Sequence, residues 1–261
     1  MRLHHELHPG TGPYLLLVHG FLSSRGQWRP NLAALGAVVR PVVVELLGHG
    51  RSPAPETLDD YRVESYIEAF EAIRQQLGAE RWFVCGQSFG AGLTIRYALA
   101  HPERVIGQIF TNSNSALAHP DLSEQDARAR SVEQGGRAGL EAMRIHPKHA
   151  KRLPPEVKQE LVADAALIDP AAIVRAIRVT RVKCSVLDDL GQIRVPTLFV
   201  NGTLEKKFQP LRDRAAGLLP ADARVVDLPG GHSVNIDAAE GFNHAVAAFV
   251  RELAPVVSSA S

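Results

Sequence analysis

Gly86-Gln87-Ser88-Phe89-Gly90 is the sharpest chemical signal in the chain. It matches G-x-S-x-G, with an apolar run before it (82–85) and a helical pattern after it. Small residues at its ends let a strand turn abruptly into a helix, so the serine hydroxyl stands clear of the backbone. The helix N-terminus behind it offers free N–H groups and a positive dipole end. The chemistry this suits is nucleophilic attack by Ser88. A serine hydroxyl attacks usefully only when a base takes its proton, and the chain has 11 histidines to choose from. Gly230-Gly231-His232-Ser233 follows the last apolar run and precedes the last helical pattern. That is the carboxyl end of a strand, where open α/β sheets gather their functional groups, and it selects His232. His101 precedes a proline at a helix end, and His244 lies inside the last helix. His119, His146 and His149 fall in a long helical segment between two strands. His4, His5 and His8 lack the H-E-x-x-H spacing and no further ligand cluster accompanies them, so no metal site is expected.

The imidazole needs a carboxylate to fix its tautomer and stabilise the imidazolium. On a serine elbow of this kind the acid lies between nucleophile and base in chain order. Asn201-Gly202-Thr203-Leu204-Glu205 follows the run 196–200, which makes Glu205 the expected acid. Its bland alternative is a solvated carboxylate beside Lys206 and Lys207. Asp213 falls on a helical pattern; Asp227, inside the last strand, is the second candidate. A tetrahedral intermediate needs two backbone N–H donors. The first is on Phe89, after the nucleophile. The second is assigned to Phe21, in the His19-Gly20-Phe21 loop that follows the first clear strand. His19 is expected to hold that loop.

The elements that must carry these residues are legible as alternation. Short β-branched or aliphatic runs at 14–18, 41–44, 82–85, 105–110, 196–200 and 224–228 read as strands buried on both faces. The stretch before Pro9 has room for one or two edge strands. Tyr66, Phe70, Ile73 and Leu77 recur at helical spacing and Gly78 ends that helix. Another helix should run from Ser88 to about Ala100. The last carries Phe242, Val246, Phe249 and Leu253 on one face. Alternating strands and helices predict an α/β fold around a parallel sheet. From about Leu117 to Leu190 no strand is visible, which predicts a helical insertion of about 70 residues. Ser123-x-x-Asp126 resembles a capping box there, Asp169-Pro170 an N-cap followed by proline, and Cys184 falls on a helix. Val157, Leu161, Ala165 and Ile168 form one apolar stripe; Ile173 and Ile177 form another. The domains are therefore 1–116 with 191–261 as the core and 117–190 as the insertion.

Composition removes several functions. Lys plus Arg number 29 against 28 Asp plus Glu, which gives no electrostatic case for nucleic acid or an acidic membrane surface. Aromatics are 6%, too few for a base-stacking platform, and no apolar run approaches the length of a membrane span. The N-terminus lacks the apolar core of a secretory signal, and two cysteines make no disulfide framework. Both thiols are expected reduced and packed, and the protein cytoplasmic.

His19-Gly20-Phe21, Leu47-Gly48-His49-Gly50-Arg51-Ser52, the serine elbow, His101-Pro102-Glu103-Arg104-Val105, Gly202 to Glu205 and Gly231-His232 occur in one order across the chain. Together they resemble the α/β-hydrolase superfamily. The resemblance implies a mostly parallel sheet of about eight strands, a helical cap over the pocket, and no cofactor. His19-Gly20-Phe21-Leu22 and the segment from Gly202 to Phe208 are also similar to MenH-like enzymes, carbon–carbon lyases that use the same triad to abstract a proton. Relatives usually carry Asp at the positions of Glu205 and Glu45, and the lyases tend to carry an aromatic at Gln87. Haloalkane dehalogenase is disfavoured because its nucleophile is Asp. The leading expectation is a serine hydrolase acting on a carboxylic ester or related small acyl compound through an acyl-enzyme. The alternatives are a MenH-like lyase, for which Arg128, Arg137, Arg144 and Arg178 offer cationic groups, and a receptor-like protein that closes its cap on a ligand. Oligomeric state is not expressed in these patterns.

Overall fold

The strands form where side chains can be buried on both faces at once. In the computed structural model, which describes residues 2–254, they are β1 (His5–Leu7), β2 (Tyr14–Val18), β3 (Arg40–Val44), β4 (Trp82–Gly86), β5 (Val105–Thr111), β6 (Thr197–Gly202) and β7 (Arg224–Leu228). They make one sheet in the order β1-β3-β2-β4-β5-β6-β7. Only β1 is antiparallel to its neighbour. The sheet thus has seven strands where about eight were expected. The N-terminal stretch supplies a single three-residue edge strand, and Pro9 and Pro13, lacking N–H donors, interrupt the chain between β1 and β2.

The helices are α1 (Arg29–Gly36), α2 (Val63–Gln76), α3 (Phe89–Ala100), α4 (Asn114–Leu117), α5 (Leu122–Ala142), α6 (Pro155–Ala165), α7 (Pro170–Arg178), α8 (Gln209–Leu218), α9 (Val234–Asp237) and α10 (Ala239–Leu253). Alternation along the strands assigns them to two layers. Leu16, Val18, Val42, Val44 and Val84 share a core with Tyr66, Phe70 and Ile73 of α2 and Leu93 and Tyr97 of α3. Leu15, Leu17, Val43, Phe83 and Cys85 pack instead with Leu35 of α1 and with Phe242, Val246, Phe249 and Val250 of α10. A fully buried side chain of this kind contributes roughly 1.5–3 kcal/mol. The two layers together clamp the central strands, whose carboxyl ends bear the candidate residues.

Helices α5, α6 and α7 lie between β5 and β6. Asp169 caps α7 by accepting from the Ala172 N–H at 2.8 Å, with Pro170 at the first helical position. α5 begins two residues before the expected capping box. Asp121, extended after Pro120, accepts from the Glu124 N–H at 2.9 Å, which leaves Ser123 inside the first turn. At Gly136 the backbone turns to φ 51°, ψ −128°, and the helix axis breaks there. Val157, Leu161, Ala165, Ile168, Ile173 and Ile177 are all buried. Cys184 is not on a helix: it follows a short 3-10 turn, Arg181–Lys183. Both cysteines are buried and free. Among the described residues, no helix is long and apolar enough to cross a membrane.

Candidate active site

β4 ends at Gly86 and α3 begins at Phe89, so Ser88 must take the whole change of direction. It does so at φ 52°, ψ −115°, a backbone conformation that costs an ordinary residue about 1–3 kcal/mol. The flanking glycines make the turn sterically attainable. A Cβ on Gly86 would lie 2.3 Å from the Gly90 carbonyl oxygen, and one on Gly90 would lie 2.4 Å from that of Val18.

Three residues distant in sequence meet above this turn. His232 Nε2 is 2.8 Å from Ser88 Oγ, and His232 Nδ1 is 3.0 Å from both carboxylate oxygens of Glu205. A carboxylate at Nδ1 accepts the proton there and leaves Nε2 as the acceptor for the serine O–H. Burial pushes the Glu205 carboxyl up, but hydrogen bonds from His232 and Asn112 outweigh it, and the net direction is below the usual value. Glu205 therefore stands ionised beside the imidazole. Asp227 is elsewhere: its Oδ1 accepts from Asn201 at 2.7 Å and its carboxylate pairs with Arg212. Asp213 lies on α8.

Backbone bonds join the loops that carry the acid and the base. The Thr203 N–H donates to Leu228 O and the Leu204 N–H to Gly230 O, both at 2.9 Å. Two buried amide side chains add to this. Asn112, just past β5, donates to Glu205 Oε2 at 2.9 Å and to Gly202 O at 3.1 Å, and accepts from Gly202 N–H at 2.9 Å. Gln87 donates to the carbonyl of His232 at 3.0 Å. Sequence reasoning did not single out Asn112, although a polar residue closing an apolar strand was the available signal. It met Gln87 only as a departure from relatives.

Opposite the hydroxyl lies the loop after β2. Its conformation is held by two histidines that face each other with ring centroids 5.0 Å apart. His19 Nε2 accepts from the Leu46 N–H at 3.1 Å, so Nδ1 carries the proton donated to Gly20 O at 2.7 Å. His49 Nε2 accepts from the Leu22 N–H at 3.3 Å, and its Nδ1 donates to Leu47 O at 2.9 Å. Burial, reinforced by His49, pushes His19 down to about 3, and burial pushes His49 down to about 4. Both rings are neutral at neutral pH, as single-acceptor, single-donor struts must be. His19 holds its loop, as expected from sequence, and the Gly48–Ser52 motif turns out to brace the same loop. Phe21 and Phe89 pack edge to face at 5.2 Å. Among the described residues, neither backbone N–H has a hydrogen-bond partner, so both are free to donate.

These groups open into a cavity of about 780 Å³ lined by Ser88, His232 and Phe21 on the sheet side. Asp121, Gln125, Arg128 and the segment from Arg144 to Pro147 line it from the helices between β5 and β6. Of the cationic candidates, Arg128 and Arg144 reach the cavity. Arg137 is committed to the carbonyls of Ala165 and Ile168, and Arg178 to Glu133. Arg181, absent from the sequence-based candidates, lines it too. The arrangement can deprotonate a hydroxyl, deliver it to a carbonyl, and receive the resulting oxyanion.

A family model described as the alpha/beta hydrolase fold matches residues 13–137. Carboxylesterase YbfK of Bacillus subtilis is 24% identical over 93% of this chain and 81% of that protein. A thermophilic esterase from Thermogutta terrifontis superposes with a TM-score of 0.82 at 22% identity, covering 97% of this chain and 94% of that one. MenH from S. aureus superposes with a TM-score of 0.79 at 19% identity, covering 95% and 98%. The chain spans only 22% to 30% of the length of the epoxide hydrolases it matches.

Proposed function

We propose that this chain, a member of the α/β-hydrolase superfamily, is a serine hydrolase that cleaves a carboxylic ester. The observation that carries it is the continuous line from Glu205 through His232 to Ser88 Oγ, with contacts of 3.0 and 2.8 Å. Support also comes from the full-length likeness to a carboxylesterase of Bacillus subtilis.

The geometry supports a two-stage mechanism. His232 Nε2 takes the Ser88 proton as Oγ attacks the ester carbonyl. The carbonyl oxygen, now anionic, is received by the N–H groups of Phe21 and Phe89. His232, its charge offset by Glu205, gives the proton to the leaving alkoxide, and an acyl group stays on Ser88. Water then repeats the sequence: it gives a proton to His232, attacks the acyl carbonyl, and Ser88 Oγ leaves with that proton. No cofactor or metal enters any step. The helices between β5 and β6 serve as a cap, so that 1–116 with 191–261 supplies the reacting groups and 117–190 shapes what may reach them.

The test is hydrolysis of 4-nitrophenyl acetate, butyrate and octanoate by the native protein and by Ser88→Ala. The native protein should turn over at least one of them. Ser88→Ala should fold and lose on the order of a million-fold in kcat. Undiminished turnover by folded Ser88→Ala, or no ester cleavage by the native protein, overturns the assignment.

A further inference from the structure

Arg181 is unlike the other arginines around the cavity. Its guanidinium lies over the Phe21 ring, 5.3 Å from the centroid, and it lines the same cavity as Ser88. Its Nε is shut off from solvent with no hydrogen-bond partner. Among the described residues, no carboxylate lies within 4.0 Å of it. Of the other arginines on the cavity, Arg128 pairs with Glu124, and Arg144 is exposed to solvent. Burial, followed by the like charge of Arg128, pushes Arg181 down to about 10, so it stays charged at neutral pH.

Arg181 is part-buried: its Nε is enclosed and the rest of the guanidinium faces the cavity. An enclosed charged donor without a partner is costly, and folding alone gives no reason to keep it. The contact with the Phe21 ring returns only part of that cost. The outstanding interaction is one a ligand would supply. A guanidinium offers a planar fork matched to a carboxylate. Asp121 and Glu124 line the same cavity, and Glu124 already engages Arg128. Arg181 offers one guanidinium, a match for one carboxylate. Phe21 also carries the N–H assigned to the oxyanion, so one residue links Arg181 to the reacting centre.

We propose that Arg181 seats a carboxylate of the substrate, so that this enzyme prefers monoanionic esters, such as half-esters of short dicarboxylic acids, to neutral esters of the same length. The inference rests on the ester-hydrolase reading, which supplies the reaction; Arg181 supplies the selectivity.

The experiment compares matched pairs in kcat/KM. One pair carries the charge on the acyl side: mono-4-nitrophenyl adipate against 4-nitrophenyl heptanoate. The other carries it on the leaving side: 3-acetoxybenzoate against phenyl acetate. In at least one pair the anionic member should be favoured about 10- to 100-fold, the scale of a hydrogen bond to a charged group. Arg181→Met should bring that ratio toward one, and Arg181→Lys should restore part of it. A purely structural role would lower both members together and leave the ratio unchanged, which overturns the proposal. So does a native ratio near one in both pairs. Calorimetric binding of monomethyl adipate and of neutral dimethyl adipate to Ser88→Ala separates selectivity from chemistry. Monomethyl adipate binding that Arg181→Met abolishes, with a native protein that cleaves no ester, would sink the reaction and keep the anion seat. Ester cleavage with no charge preference and no monomethyl adipate binding would sink the seat and keep the reaction.

Discussion

The loops at the carboxyl ends of the strands and the helices between β5 and β6 face each other across one cavity, yet they are built by different rules. Ser88, Glu205 and His232 are set by backbone. Each stands within a few residues of a strand end, and each loop is tied by main-chain or buried amide hydrogen bonds. Arg128, Arg144 and Arg181 are set by side-chain packing of helices and short turns, with an axis break at Gly136 among them. The polar contacts of α5 are mostly exposed pairs such as Arg178 with Glu133, which contribute little. The difference teaches that main-chain ties can fix one wall of a cavity while side-chain packing sets the other.

The contrast is broken most directly at Glu205. If the strand-end loop orients His232, Glu205→Gln keeps the shape of the loop and presents the wrong hydrogen-bond partners. The comparable Asp→Asn change in a serine protease costs about ten-thousand-fold, and a loss on that scale in kcat is expected here. Asp227→Asn should be nearly silent in kcat, because Asp227 is occupied by Asn201 and Arg212. A crippled Asp227→Asn beside a silent Glu205→Gln would show that the wrong loop has been assigned. Steady-state kinetics with circular dichroism on both variants decides it.

A smaller effect sharpens the same contrast through pH. His19 and His49 are neutral in the fold, with values near 3 and 4, against 6.5 for an unburied imidazole. Below about pH 6.5 the unfolded chain binds protons there that the folded chain does not. Their effect on stability is nil above that pH and increasingly unfavourable as pH falls toward 4. The limit is about 1.4 kcal/mol per pH unit for each ring. Tm should therefore drop steeply from pH 6.5 to pH 4, and His49→Asn should flatten the slope whatever it does to Tm itself. An unchanged slope in that variant would contradict the neutral strut.

Legibility in the sequence divides along the same line. Strand bounds came within a residue or two because a two-faced strand must be apolar along its length and stops where it is not. Ser88, Glu205 and His232 could be placed because each is read relative to a strand end. Arg181 could not, since its neighbour Phe21 is 160 positions away and no periodicity encodes that approach. For the same reason Arg137 and Arg178 were indistinguishable from Arg128 and Arg144 until their partners were seen. α5 is capped by Asp121 and not by Ser123 because the extended backbone after Pro120 brings the Asp121 carboxylate to the Glu124 N–H, a conformation that the Ser123-x-x-Asp126 pattern does not encode. The eighth strand was an inference from relatives, and the short segment before Pro9 yields one strand.

One measurement reaches the central claim without depending on the choice of substrate. A fluorophosphonate reacts with a serine whose proton is taken by a neighbouring base and whose oxyanion is received by N–H donors. Treated protein, weighed intact and then mapped by peptide mass spectrometry, should carry one adduct per chain, on Ser88, and Glu205→Gln should slow its appearance. No adduct on folded protein, or an adduct on a residue other than Ser88, would contradict the assignment of Ser88 as the nucleophile.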